Sequence, residues 1–468
     1  MSLTLTTMNQ PRRLYQYLTA FTALLTIVTS GLHYAWPSPS IPQFISGNTT
    51  SFKITNDEGS WIIIMQLIAP IPSCFLGAAI IDVIGRKKSI LLTAIPYMIG
   101  WLMVVFAKSG VELCIARFFA GISDGVAFTV IPLYIGEIAD PEIRGLLGAG
   151  ISATWIFGML LINVVGSYLS ITMTAAICTV VPCLLLATFV WMPESPYFLI
   201  LKNDIEAARS ALRKFRGRTD VEEELMRLEE AVKNQNKRNG KVLELFTKKS
   251  NRKSLGIITV VRNSQQMSGV AAISFYTLTI FHEAGDFMSP LSATILYVVI
   301  QCVMTILCSI IIDKTGRRPL LISSLIGSGI CLFVEGSYFY VKDFTDIDVS
   351  SFNFVPVVAL IGYVVIFNLG AQPIPLLVQG ELFPTNVKGL ASCLSEVYFC
   401  ILAAIFSKCF QVMRDHFGIY VPFYIFAVCC MINLIFVILF VPETKGKTLE
   451  EIQEALCERK KEKGGGLV

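Results

Sequence analysis

Seven long stretches of this chain carry no acidic or basic residue: 14–52, 59–81, 89–107, 145–193, 287–312, 349–380 and 416–442. A bilayer's hydrocarbon core is ~30 Å thick and takes about 20 apolar residues per helical crossing, and these stretches meet that length. Only 15% of the 468 residues are charged, against about 25% in a soluble globular chain. Much of the surface must therefore face something other than water. The pattern is that of an all-α membrane protein crossing the bilayer many times.

Counting crossings predicts helices near 14–36, 59–81, 89–107, 112–136, 146–168, 171–192, 254–281, 289–312, 319–341, 353–379, 389–411 and 419–441. The bases cluster in alternate connections: Arg12 and Arg13; Arg86, Lys87 and Lys88; Arg144; the segment 193–253; Lys314, Arg317 and Arg318; Lys388; and the tail. Short loops rich in Lys and Arg stay on the cytoplasmic side, so both termini and 193–253 are expected there. The net charge of +4 is thus read as topology, not as a nucleic-acid surface. Residues 1–13 form a short leading segment, 14–192 a first six-helix half, 193–253 a helical linker, 254–441 a second half and 442–468 a tail. In the linker, Leu225, Leu228 and Val232 share one helical stripe, as in a solvated strut between the halves.

The thirteen cysteines have no paired spacing and mostly fall in apolar runs, so they read as small hydrophobes. With three histidines and no ligand spacing, no metal or cofactor is expected. No nucleotide loop or catalytic triad appears, so no enzyme is expected either. Asn48-Thr49-Thr50 is a glycosylation sequon in the first connection, on the predicted outer side.

The charged connections repeat. DVIGRKK at 82–88 follows the second predicted helix and DKTGRR at 313–318 follows the eighth. Gly136-Glu137 precedes Arg144 as Gly380-Glu381 precedes Lys388, and Pro193-Glu194-Ser195 matches Pro442-Glu443-Thr444. Three pairs in one order, each six helices apart, mark a six-helix unit used twice. Parallel halves with a midplane site between them form a carrier architecture. The repeated acids and bases, Asp82, Gly85, Arg86, Lys87, Arg117, Glu137, Arg144 and Glu194 with Asp313, Gly316, Arg317, Arg318, Glu381, Lys388 and Glu443, are candidate gate residues. They are expected to pair across the seam when the charged end shuts.

These residues resemble the sugar porters of the major facilitator superfamily. The resemblance rests on DVIGRKK, Arg117-Phe118, PLYIGE at 132–137, Arg144-Gly145, PESP at 193–196, QQMSG at 265–269, DKTGRR, Pro373-Ile-Pro375, Glu381-Leu-Phe383 and PETKG at 442–446. Trp36-Pro-Ser-Pro39 resembles the insect facilitated trehalose/glucose branch. The resemblance implies a twelve-helix carrier in the plasma membrane, whose partners are the bilayer and a small sugar, with no obligate protein partner. Gln265 and Gln266, either interhelical glue or sugar contacts, become sugar contacts by this resemblance. Gln301 stands where an Asn is expected. Phe275 and Tyr276 are candidate ring-facing aromatics or core residues, and Pro373, with Pro375 and Gly370, allows a kink.

The sequence also departs from the family pattern. Ser152 replaces a Gln, Ala271 an Asn, and Leu376 a stacking Trp, while Phe399-Cys400 replaces an Asn-Trp pair. The gates are kept and the pocket is altered. No carboxylate lies in residues 14–37, where proton-coupled members of the family carry an Asp, which favours uniport. Asp124, Glu335 and Glu396 nevertheless lie inside apolar runs, where carboxylates are costly and commonly functional. Asp124, seven residues from Arg117, is expected to pair with it, and Glu335 and Glu396 to lie near helix ends or to act in transport. A proton-coupled symporter, a non-transporting sugar sensor and a porter of another polyol stay open beside the facilitative sugar carrier.

Overall fold

A computed structural model describes residues 13–47, 52–237, 244–285, 287–383, 385–445 and 451. Among the described residues the chain is helical, with no strand. The first half holds α1 (Leu14–Ala35), α2 (Pro37–Ser46), α3 (Asn56–Ile68), α4 (Pro70–Ile84), α5 (Arg86–Phe106), α6 (Gly110–Ile138), α7 (Pro141–Tyr168) and α8 (Ile171–Phe189). Four short helices follow: α9 (Pro196–Leu201), α10 (Ile205–Arg216), α11 (Glu222–Lys237) and α12 (Glu244–Thr247). The second half holds α13 (Lys249–Gln266), α14 (Val270–Ala284), α15 (Pro290–Thr315), α16 (Arg317–Phe344), α17 (Val355–Leu369), α18 (Ile374–Leu382), α19 (Thr385–Phe417) and α20 (Tyr420–Phe440).

Among the described residues, eleven helical segments are long and apolar enough to span a membrane. The α13–α14 pair supplies the twelfth crossing; Arg262, Asn263, Gln265 and Gln266 hold its hydropathy down. Several helices outrun their expected ends, most of all α19, predicted to stop at 411 and observed to run to Phe417. The prediction stopped short of Arg414 and Asp415, but charged residues at helix ends reach back to the interface without ending the helix.

Four crossings are interrupted. Pro37 and Pro70 start α2 and α4, where a missing N–H costs least. Between α13 and α14, Gly269 adopts φ +80°, and a Cβ there would strike the Phe426 ring. Only glycine tolerates that combination. Between α17 and α18, Gly370 lies against the Leu320 carbonyl and Pro373 caps α18. The expected kink at Gly370 and Pro373 is thus a full break, and the predicted single helix 254–281 is two.

Within the first half α1 packs on α7, and α6 on α3, α4 and α5; within the second α16 packs on α17 and α20, and α13 on α19. The halves meet through α7 with α15, α19 with α3 and α4, and α2 with α14. The short helices α9–α11 are no free strut. Ile200, Ala208, Leu212, Val221, Leu225 and Val232 form a small core of their own. Arg216 anchors it to the first half through the Ile138 carbonyl at 2.8 Å and Asp140 at 3.0 Å.

Candidate functional site

The repeated turn has one geometry in both halves. Gly85 (φ +96°) and Gly316 (φ +100°) end α4 and α15 and let α5 and α16 start at once. At each new N-terminus a carboxylate from far along the chain accepts the unpaired backbone N–H groups. Glu194 takes those of Arg86 (3.1 Å) and Lys87 (3.0 Å); Glu443 takes those of Arg317 (3.1 Å) and Arg318 (3.0 Å). A helix N-terminus favours negative charge, and a Cβ on either glycine would occupy the carboxylate's place. The arginine side chains then bind the ends of α6 and α18. Arg86 reaches Glu137 at 3.0 Å and Asp82 at 3.1 Å, and Arg317 reaches Glu381 at 2.9 Å. Ser195 donates to Glu137 and Thr444 to Glu381.

All these pairs lie within one half, not across the seam. Arg144 and Lys388 are exposed and turn back on the carbonyls of Ala139 (3.4 Å) and Gly380 (2.9 Å). A methyl group added at Gly136, Gly145 or Gly389, at this same end, would meet no atom within 4 Å. These three positions face open space. At the opposite end the halves touch. Lys408 on α19 pairs with Asp57 on α3, bonds Ser60 at 2.7 Å and lies over the Trp61 ring. Arg117 belongs to that region: it is buried, donates to the His33 carbonyl and lies over Trp36 at the α1–α2 break. The Asp313 side chain and Asn48 lie outside the described residues.

Between the two ends, the expected contact residues separate into two groups. Gln265 is occupied: it accepts from Arg262 at 3.1 Å and donates to the Gln372 carbonyl, at the α17–α18 break, at 3.1 Å. Gln266 is fully buried, and neither amide atom has a protein partner. The Gln301 carbonyl and the Tyr276 hydroxyl are buried and unpartnered as well. Phe275 is buried and contacts Tyr34 of the first half at 4.6 Å between ring centroids. Ser152 is half-buried on α7, Pro373 half-buried at the break, and Leu376 half-exposed on α18.

Arg262 was not among the expected site residues, although a lone arginine in an apolar run is its signal. Its guanidinium is buried and holds Ser395 (2.9 Å), Gln265 (3.1 Å), Gln379 (3.2 Å) and Glu396 (3.4 Å). Glu396 is therefore no helix-end residue. Asp124 does not pair with Arg117; it accepts from the Tyr97 hydroxyl and the Gln66 amide, both at 2.7 Å. The neutral donors are nearer, and Arg117 is drawn to a carbonyl. Glu335 is fully buried in α16 with both oxygens unpartnered, again not at an exposed end.

The family profile described as "sugar (and other) transporter" matches residues 13–456. The chain belongs to this family. It is 35% identical over 447 residues to the facilitated trehalose transporter Tret1 of Drosophila willistoni, covering 95% of this chain and 51% of that protein. It is 34% identical over 448 residues to trehalose transporter 1 of Drosophila melanogaster, covering 95% and 52%. The chain thus spans about half the length of the curated relatives it matches. The fold is similar to the inward-open xylose transporter XylE from E. coli (TM-score 0.76, 23% identity, 94% of this chain and 99% of that one). It is also similar to the proton:xylose symporter XylE bound to 6-bromo-6-deoxy-D-glucose (TM-score 0.74, 24% identity, 94% and 99%). The twelve-helix major facilitator fold with two six-helix repeats is the architecture of this chain.

Two predictions concern its polar clusters. Removing one partner of a buried ion pair strands the other, so Arg262→Ala should destabilise this protein by about 3 kcal/mol. Combining it with Glu396→Leu should recover much of that loss, read as thermal unfolding in detergent. Burial pushes the Glu443 carboxyl up, but the N–H groups of Lys445, Arg317, Arg318 and Thr444 outweigh it and hold the pKa below the ordinary glutamate value. A depressed pKa stabilises above the unfolded value, and that stabilisation is lost as pH falls through the folded one. The gap in unfolding temperature between wild type and Glu443→Gln should therefore hold at neutral pH. Below the ordinary glutamate range it should shrink.

Proposed function

We propose that the chain is a facilitative (uniport) carrier of a sugar such as trehalose or a hexose, working by alternating access in the plasma membrane with both termini cytoplasmic. The observation that carries this reading is the unpartnered Gln266 amide, with the Gln301 carbonyl and Tyr276 hydroxyl also unpartnered in the same half. A buried polar group without a partner costs about 1–3 kcal/mol, and amides and hydroxyls are what a sugar's hydroxyls pair with. The relatives' names, facilitated trehalose transporters, support the substrate class. The first crossing, 14–46, holds no carboxylate, which supports uniport. Asp124 and Glu396, carboxylates inside the membrane-spanning helices α6 and α19, favour proton coupling as the second reading.

Counterflow in liposomes decides between them. Labelled trehalose or hexose should exchange saturably with no ion gradient. Strict dependence on an imposed pH gradient would establish the second reading instead, and no counterflow for any sugar or polyol would remove both.

The pairs at the charged end make each half a rigid body, and Arg144 and Lys388 are the groups free to reach across as the seam shuts. Glu137→Gln unties the end of α6, and Arg144→Ala removes a closing contact. Each should lower the exchange rate roughly tenfold, the effect of about 1.4 kcal/mol on a barrier, while ligand-induced thermal stabilisation persists. Wild-type exchange in both variants would rule out the gating assignment.

A further inference from the structure

The unpartnered amides and hydroxyl above all belong to the second half. They provide hydrogen bonds along one side of a ligand and leave its other side unaccounted for. A sugar ring also has faces of C–H groups, and a site that grips it needs an apolar, preferably aromatic, wall. The position where the resemblance expects a stacking tryptophan holds Leu376, which is half-exposed on α18 and has no ring. The wall must come from elsewhere.

We infer that Trp155, on α7 of the first half, is that wall: the aromatic platform against which the sugar ring packs, with its indole N–H donating to a ring hydroxyl. Three observations carry this. The indole Nε1 is buried and has no protein partner; those of Trp36 and Trp101 are unpartnered too, but those two residues are fully buried, whereas Trp155 is partly exposed. The ring is only partly buried and touches both hydrophobic cores, the one confined to the first half and the one spanning both halves. It stands in a row of rings crossing between the halves: Phe128 at 6.5 Å, Trp155, Tyr34 at 4.8 Å from it, and Phe275 of α14 at 4.6 Å from Tyr34.

The backbone fixes this ring. The Trp155 carbonyl occupies the place of a Cβ on Gly31, and Gly158 lies against the Val28 carbonyl, so α1 and α7 are in direct backbone contact. Small residues at a helix crossing permit such contact, and here they leave α7 no room to roll. The same helix packs across the interface against α15, which carries Gln301. A ring held from the first half and hydrogen-bonding groups from the second give a site complete only while both halves close on the ligand. Alternating access requires that property.

This inference rests on the sugar-transport reading. The test uses the full chain in liposomes, with labelled trehalose counterflow for wild type, Trp155→Phe and Trp155→Leu. Losing ring and N–H together should raise the half-saturation concentration about tenfold, and losing the N–H alone about threefold, with maximal exchange within roughly twofold. An unchanged half-saturation in Trp155→Leu overturns the inference, whether the maximal rate is kept or lost, since packing alone would act on the rate. If Trp155→Leu does not fold, Trp155→Phe decides: a rise of about threefold supports the platform, and no rise overturns it. Absence of wild-type counterflow for every sugar removes the sugar-transport reading and this inference together, and it shows before any variant is compared.

Discussion

In hydrocarbon, an unpaired polar group costs several kcal/mol because no water is there to satisfy it. That cost shapes where many polar side chains of this protein sit. Asp124 has its tyrosine and glutamine donors, and Arg262 has four acceptors drawn from α13, α18 and α19. Against this background there are exceptions, Trp36, Trp101 and Asn163 among them; four, Gln266, Gln301, Tyr276 and Trp155, bear on the candidate site, each with a buried polar atom that has no protein partner. Three of the four lie on helices that face the other half. A membrane protein keeps such groups where something else completes them. Glu335 is another exception of the same kind, set apart from the interface in the α16–α20 packing.

The carboxylate clamp, used once per half, follows from the same cost. A helix that starts directly after a glycine has no side-chain cap of its own, and α5 and α16 have none. Glu194 and Glu443 act as caps from the far ends of their halves and tie the first charged turn to the last crossing. Arg86 and Arg317 add the ends of α6 and α18. Each half is thereby braced internally, while among the described residues the direct polar links between halves are few: Lys408 to Asp57 and Ser60, and the Cys393 thiol to the Cys74 carbonyl at 3.8 Å. Strong bonds inside the halves and weak ones between them suit two bodies that rock against each other.

The twelve crossings were legible because length and absence of charge are sufficient signals for a bilayer. The repeat was legible because glycine, arginine and glutamate recur at matched positions. Which partners they choose was not, since a spacing of seven residues, as for Asp124 and Arg117, describes one helix face and says nothing of a nearer donor elsewhere. Gln265 and Gln266 look alike in sequence, but adjacent residues on a helix point about 100° apart. One turns to Arg262 and the α17–α18 break; the other is buried with neither amide atom partnered. Trp155 escaped notice because one aromatic among many apolar residues carries no pattern, and its meaning comes only from an unpartnered N–H.

That difference between the two glutamines links binding to motion. Gln265 joins Arg262 to the Gln372 carbonyl, so the broken crossing α13–α14 is tied to the broken crossing α17–α18. Gln266 is the next residue and the last of α13, three positions before the left-handed Gly269. A ligand that pulls on the Gln266 amide therefore acts on a chain segment with few helical bonds to resist it. Through Gln265 it acts on the second break as well. The α13–α14 break begins at the residue after this unpartnered amide, so a ligand bound there and the geometry of that break would be coupled.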